Sequence, residues 1–203
     1  MILLYLCASK WKNMLHIKTF YCNPFRECTY ILTAAEPSDK PQACLIIDPG
    51  MYGEKEENRV LDFLRDNHLT PAAILITHTH LDHICGLDVI ENAYPNTPKY
   101  GYNYNHAEEN TPITLARLTF RIIYTPGHKE DSICFYFEED GILFSGDTLF
   151  QESVGRTDLE GGSLPILSAS LAKLTQLPDE TIVYPGHGYT TTISHEKQYN
   201  PYL

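Results

Sequence analysis

The stretch Thr77-His78-Thr79-His80-Leu81-Asp82-His83 directly follows the apolar run Ile74-Leu75-Ile76. The apolar run predicts a buried strand, so three imidazoles and one carboxylate stand at its end. His78 and His80 lie two residues apart and can bind one ion, whereas Asp82 and His83 follow on the next turn of the chain and can bind another. The spacing therefore predicts a metal centre that holds two ions.

Three further apolar runs end in the same way, with glycine followed by His or Asp. They lead from Ile122-Ile123-Tyr124 to His128, from Ile142-Leu143-Phe144 to Asp147, and from Ile182-Val183-Tyr184 to His187. The glycine before each of these residues lets the backbone turn sharply and approach a shared centre. Because imidazole and carboxylate occur without thiolate, the set favours zinc, with iron or manganese also compatible.

A single histidine near a strand end is more often packed or hydrogen-bonded than functional. His16, His68, His106 and His195 are interpreted in that way and are given no role. Five His and two Asp residues in four strand-end motifs are a different case, and they indicate one shared site.

The order of apolar patterns predicts a layered α/β or α+β sandwich, because strands fall into two groups with helices between them. Strands are predicted over 15–21, 29–33, 44–47, 72–76, 115–124, 132–138, 142–145 and 181–184. Helices are predicted over 56–67, within 81–92, between Ser163 and Pro178 with Pro165 in the first turn, and over 192–197. Residues 95–112 are predicted to form a surface loop with one short strand. No repeat or linker interrupts the chain, so 14–203 is predicted as one domain, after an N-terminal extension over 1–13.

Composition and charge exclude several classes of partner. The 203 residues are 43% hydrophobic and 20% charged, which is ordinary for a folded globular protein. A net charge of −11 argues against nucleic acid as a partner. The apolar N-terminal segment is too short for a spanning helix, so no membrane partner is predicted. Six cysteines without a Cys-x-x-Cys pair favour a reducing, cytoplasmic location, and the oligomeric state stays open.

The chain resembles the metallo-β-lactamase fold superfamily and, within it, the small glyoxalase II-like hydrolases. The resemblance covers nearly everything from Met14 onward. It rests on the His-x-His-x-Asp-His run and on Ser145-Gly146-Asp147-Thr148-Leu149-Phe150, Gly155-Arg156-Thr157-Asp158 and Tyr184-Pro185-Gly186-His187-Gly188. The fold implied is an αββα sandwich of two mixed sheets with helices on both outer faces.

The resemblance also implies ligands for two divalent metal ions. It puts His78, His80 and His128 on the first ion, and Asp82, His83 and His187 on the second, with Asp147 bridging. Such a site would hold a bridging hydroxide and polarise a substrate carbonyl. Asp82 would orient that hydroxide and is the predicted catalytic residue. The implied substrate is a small thioester or ester, since a thiolate with a reference pKa near ~8.5 leaves readily.

Two basic residues near the predicted site are candidates for substrate binding. Arg156 would either face an anionic substrate or pair with Asp158, and pairing is the favoured interpretation. Lys129 directly follows His128 and would meet a substrate carboxylate, although an exposed surface lysine is the simpler interpretation. Sixteen residues follow His187, fewer than the helical region that holds glutathione in full-length glyoxalase II, so glutathione recognition is not carried over.

Four other functions compete with this prediction. A persulfide dioxygenase is similar and would bind one iron through His78, His128 and Asp147. A β-lactamase is disfavoured because the chain has no convincing export signal. An RNA-processing nuclease is disfavoured by the acidic charge. A metal-binding module without catalysis would remain if no ester or thioester were turned over.

Overall fold

The structure is a computed structural model that describes residues 15–34, 41–105 and 108–203. These residues contain thirteen strands and five helices. The N-terminal extension predicted over 1–13 lies outside these residues. The first sheet has five strands in the order β1-β2-β3-β4-β5. They are β1 (Leu15–Cys22), β2 (Glu27–Ala34), β3 (Gln42–Ile47), β4 (Leu69–Leu75) and β5 (Lys99–Tyr100). The pairs β1–β2 and β2–β3 are antiparallel, whereas β3–β4 and β4–β5 are parallel, so the sheet is mixed.

The second large sheet has six strands in the order β13-β12-β9-β8-β7-β6. They are β6 (Ile113–Leu115), β7 (Leu118–Tyr124), β8 (Ile133–Phe137), β9 (Ile142–Gly146), β12 (Ile182–Pro185) and β13 (Thr191–Thr192). The pair β9–β12 is parallel and the others are antiparallel. A separate short hairpin joins β10 (Leu149–Phe150) to β11 (Ser153–Val154).

The helices cover the outer faces of the two sheets. They are α1 (Glu54–Asp66), α2 (Leu81–Ile84), α3 (Leu87–Ala93), α4 (Leu164–Leu174) and α5 (Ile193–Tyr199). One apolar cluster contains residues of both sheets and lies between them. A second cluster joins the first sheet to α1 and α3, and a third joins the second sheet to α4 and α5. The predicted αββα sandwich is thus confirmed.

Strand β8 shows how the alternation of side chains produces these layers. Ile133, Phe135 and Phe137 point between the sheets, whereas Cys134 and Tyr136 pack towards the outer helices. All five are buried, which explains why this strand is apolar on both faces. A strand buried on both sides is a continuous apolar run in the sequence, as this one is.

The prediction of one strand over 115–124 is wrong. The chain turns back at Ala116 and Arg117, which have φ angles of 50° and 64°, and β6 pairs with β7 as a hairpin. Two adjacent residues with positive φ are typical of the tight turns that join antiparallel strands. Neither residue is the Gly, Asn or Asp that usually marks such a turn, so the sequence pattern concealed it.

The directions of the strands explain why the metal-binding motifs share one edge. Strands β7 and β9 are both antiparallel to β8 and therefore run the same way, and β12 is parallel to β9. Their carboxyl ends lead to His128, Asp147 and His187. In the described part of the chain, every helix is too short or too polar to cross a lipid bilayer.

Candidate metal centre

The first group of converging side chains consists of three imidazoles. The Nδ1 atom of His80 lies 3.1 Å from Nε2 of His78 and 2.8 Å from Nε2 of His128. His78 and His128 are buried, whereas His80 is partly exposed at the edge of the group. Ring nitrogens this close together form a set that can hold a metal ion.

The second group combines a carboxylate with two imidazoles. Oδ2 of Asp82 lies 3.3 Å from Nε2 of His187 and 3.9 Å from Nε2 of His83. Asp82 and His83 are both in the short helix α2, which begins directly after His80, whereas His187 comes from the end of β12. These three residues form another set with the geometry for a metal ion.

Asp147 lies between the two groups. Its Oδ1 atom is 3.3 Å from Nε2 of His83, and its Oδ2 atom is 3.5 Å from Nε2 of His128 and 3.6 Å from Nε2 of His187. One carboxylate thus faces both groups with its two oxygens. All seven residues that the sequence selected as metal ligands are therefore brought together in one cluster.

In four histidines, the Nδ1 atom lies on the side of the ring away from the cluster and forms a hydrogen bond that fixes the orientation of the ring. The partners are the Thr77 hydroxyl for His78 at 3.1 Å, the Asp48 carboxylate for His83 at 2.9 Å, the Arg156 carbonyl for His128 at 2.7 Å and the Phe25 carbonyl for His187 at 3.1 Å. An acceptor at Nδ1 selects the tautomer that carries the proton there. The Nε2 atom of these rings is then directed into the cluster, where a metal ion would replace any proton on it.

Asp48 is a site residue that the sequence analysis did not select. It is buried, and its two oxygens accept hydrogen bonds from the Thr77 backbone N–H at 2.8 Å and the Thr77 hydroxyl at 2.6 Å, as well as from His83. Asp48 ends β3 just as Asp147 ends β9. Like the other four motifs, Asp48 is a His or Asp residue that follows an apolar run, and this shared pattern could have identified it.

The electrostatics of the cluster suit a cation. Burial and the neighbouring imidazoles hold the pKa of His78 well below its usual value, so this ring is uncharged at neutral pH. Partial burial raises the pKa of Asp82, but the hydrogen bond from His187 and the charge of His83 outweigh it and bring the pKa to about 2. Burial also lowers the pKa of His83, and the charges of Asp147 and Asp48 outweigh this effect and raise it. The carboxylates around His83 therefore favour positive charge at this point, and a metal ion would displace the proton on binding because imidazole binds metal ions in its neutral form.

Two observations show that the residues fit metal ions. The Nε2 atom of His83 and the Oδ1 atom of Asp147 are buried and, apart from ion-pair contacts within the cluster such as their own at 3.3 Å, have no hydrogen-bond partner among the described residues. Buried polar atoms without partners are rare and call for a ligand. A Cβ atom added at Gly186 would lie 2.3 Å from Oδ1 of Asp147 and 2.6 Å from Cε1 of His83, so only glycine leaves the cluster its room.

The two candidate substrate-binding residues lie beside the cluster, and each has a partner. The guanidinium of Arg156 forms two hydrogen bonds of 2.8 and 2.7 Å with Asp158, and both side chains are exposed. The Lys129 ammonium donates a hydrogen bond to the Thr79 hydroxyl and lies 3.5 Å from Oδ2 of Asp131. Thr79 stands between His78 and His80, so this lysine contacts the metal-binding run itself.

Comparison with curated proteins finds a relative with an assigned activity. Hydroxyacylglutathione hydrolase of Francisella tularensis subsp. novicida is 37% identical over 177 residues. The alignment covers 84% of this chain and 66% of that enzyme, so the chain spans about two thirds of the enzyme's length.

Two solved structures are similar to this chain over nearly its whole length. BLEG-1 B3 metallo-beta-lactamase superposes with a TM-score of 0.82 and 33% identity, over 93% of this chain and 99% of that one. A protein solved in a di-iron-bound form superposes with a TM-score of 0.78 and 31% identity, over 92% of this chain and 100% of that one. The sequence model of the Metallo-beta-lactamase superfamily matches residues 39–187. Because this match covers well over half of the chain, the protein belongs to the metallo-β-lactamase superfamily.

Proposed function

We propose that this protein is a dinuclear metal-dependent hydrolase that cleaves a small thioester or related ester, in the manner of glyoxalase II. The observation that carries the proposal is the position of Asp147, whose two oxygens face the two ligand groups. The relationship to a hydroxyacylglutathione hydrolase supports the reaction class.

The ligand sets follow from the two groups. His78, His80 and His128 would hold one divalent ion, Asp82, His83 and His187 the other, and Asp147 would bridge them. Imidazole and carboxylate ligands favour zinc, while the di-iron-bound structural neighbour supports iron as an alternative to test. When bound, two such ions lower the pKa of water towards ~7 and polarise a carbonyl group.

The reaction adds water to a thioester: a C–O bond forms at the carbonyl carbon, the C–S bond breaks, and a carboxylic acid and a thiol are released. Asp82 carries the catalytic role. Its low pKa keeps the carboxylate ionised, so its oxygens accept a hydrogen bond and orient the attacking water. The hydrogen bonds behind His83 and His187 hold the rings beside it in fixed positions.

A mononuclear iron persulfide dioxygenase is the second candidate. It would need His78, His128 and Asp147, which lie together: Nε2 of His128 is 3.5 Å from Asp147, and the rings of His78 and His128 are 4.9 Å apart. The di-iron-bound neighbour supports iron as a metal to test, although its two ions agree better with the dinuclear proposal. The adjacent group of Asp82, His83 and His187 argues for hydrolysis, because a single iron would leave it without a function.

Elemental analysis of the purified protein, paired with hydrolysis of the neutral thioester S-acetyl-N-acetylcysteamine and of S-lactoylglutathione, tests the proposal. Wild type is expected to contain two divalent ions per chain and to show turnover that a chelator abolishes. Asp147→Ala is expected to lose at least one ion and to lower kcat by about 100-fold or more, because both groups lose their shared carboxylate.

Glu180→Ala is the matched control, since Glu180 is exposed and precedes β12 at the end opposite His187. It should keep both the metal content and the activity of wild type. Full activity of Asp147→Ala would refute the proposal. One iron per chain with oxygen uptake on glutathione persulfide would establish the second candidate instead.

A further inference from the structure

A cavity of about 650 Å³ opens beside the metal centre. His80 contributes to its wall and also belongs to the first ligand group, so a molecule in this cavity lies next to that group. Thr79 and Leu81 flank His80 on the same wall, and Asn103 comes from the loop after β5. The size suits the arm of a small substrate that projects from the reacting carbonyl.

The one cationic side chain among the described residues that line the cavity is Lys129, and it is already engaged. Its ammonium donates to the Thr79 hydroxyl and faces Oδ2 of Asp131 at 3.5 Å. That same oxygen accepts from the Thr79 hydroxyl at 2.5 Å and from Asn103 Nδ2 at 3.2 Å, and the Asp131 side chain is 8% exposed. The Lys129 side chain is 25% exposed, but its ammonium is already paired with a carboxylate, so an anionic ligand would have to compete with Asp131 for it.

Negative charge dominates the rest of the lining. Glu130 and Glu160 are exposed at the cavity, and Asp131 adds a third carboxylate against the single lysine. Arg156, four residues before Glu160, is paired with Asp158. The side chains of this lining would repel a carboxylate on the substrate arm and attract a cation.

We infer that the cavity selects substrates whose arm is neutral or cationic and discriminates against carboxylate-bearing arms, including the anionic peptide of glutathione. The inference rests on the proposed thioester hydrolysis and specifies its substrate class. Lys129, Asp131, Glu130 and Glu160 are the residues that determine this specificity.

A charge series of thioesters tests the inference. On the thiol side, acetylthiocholine is cationic, S-acetyl-N-acetylcysteamine is neutral, and S-acetyl-3-mercaptopropionate and S-acetylglutathione are anionic. On the acyl side, the acetyl and succinyl thioesters of N-acetylcysteamine form a neutral and anionic pair. In at least one of the two series, kcat/KM is expected to be about tenfold lower for the anionic thioester than for the neutral one. Addition of 0.5 M salt should reduce this difference in kcat/KM because it screens exposed charges.

The variant Glu130→Lys/Glu160→Lys should reverse the order in that series, because it replaces two carboxylates of the lining with ammonium groups. The matched control is Glu139→Lys/Glu180→Lys, which changes the net charge equally. Glu139 and Glu180 are exposed and precede β9 and β12, at the ends opposite the cluster. The control should keep the wild-type order.

A binding measurement separates this inference from the proposed function. The S-propyl thioethers of thiocholine and of 3-mercaptopropionate cannot be hydrolysed, and calorimetric titration gives their affinities. Absence of turnover on every thioester, with tighter binding of the cationic thioether, would refute the hydrolase and support the cavity assignment. Equal or preferred binding and turnover of the anionic members would overturn the inference, whatever the reaction.

Discussion

Single atoms behind the cluster decide which ring nitrogen each histidine presents. His83 shows this best, since Asp48 accepts a hydrogen bond from its Nδ1 atom and leaves the buried Nε2 atom facing Asp147 in the cluster. Asp48 also binds Thr77, whose hydroxyl contacts His78. One carboxylate therefore supports a residue of each ligand group, and its effect should appear in metal affinity before it appears in the fold.

Replacement of Asp48 with Asn is expected to weaken metal binding by about 10- to 100-fold. The amide keeps the size of the carboxylate, but its NH₂ group would face donors from Thr77 or His83 where Oδ2 now accepts. Competition with a chromophoric chelator measures the affinity. Asp66→Asn is the control, because Asp66 is exposed at the end of α1 and contacts Arg65. Unchanged affinity in a folded Asp48→Asn protein would contradict a supporting role.

At the scale of elements, the sequence predicted what depends on apolar periodicity and missed what depends on backbone conformation. The continuous apolar run of β8 and the helical spacing of Val60 and Leu64 in α1 indicate burial, and both elements form as predicted. The hairpin turn at Ala116 and Arg117 depends on positive φ angles in residues that rarely adopt them. The tertiary contacts of β6 and β7 stabilise this turn, so the local sequence contains no pattern that predicts it.

The turn gives a stability prediction. Ala116 has a φ of 50°, a conformation that costs an L-residue roughly 1–2 kcal/mol and glycine almost nothing. Ala116→Gly is therefore expected to raise the free energy of unfolding by about 0.5–1 kcal/mol after the loss of its methyl contact. The same change at Ala169, exposed within α4, should lower it by about 1 kcal/mol. Urea denaturation measures both, and equal signs would contradict the strain at Ala116.

At the scale of the whole molecule, the cluster joins the two sheets. His78, His80, Asp82 and His83 follow β4 of the first sheet, whereas His128, Asp147 and His187 follow strands of the second. All seven were predicted because the chemistry of metal binding restricts both residue type and spacing. The cavity beside His80 was not predicted, since its wall combines Asn103 and Glu160 from loops whose approach depends on the complete fold.

A metal bound between the sheets should hold them together, because the unfolded chain cannot present all seven residues at once. A ligand that binds only the native state at 100 times its dissociation constant adds about 2.7 kcal/mol of stability. For a chain of this length, that corresponds to a rise in Tm of roughly 5–10 °C. Calorimetric scans of the chelator-treated protein, before and after addition of zinc, measure this rise. Asp147→Ala should show a much smaller rise and Glu180→Ala the full one. An equal rise in Tm for Asp147→Ala would show that the stabilising ion binds outside this cluster. It would contradict the prediction that the ion holds the two sheets together.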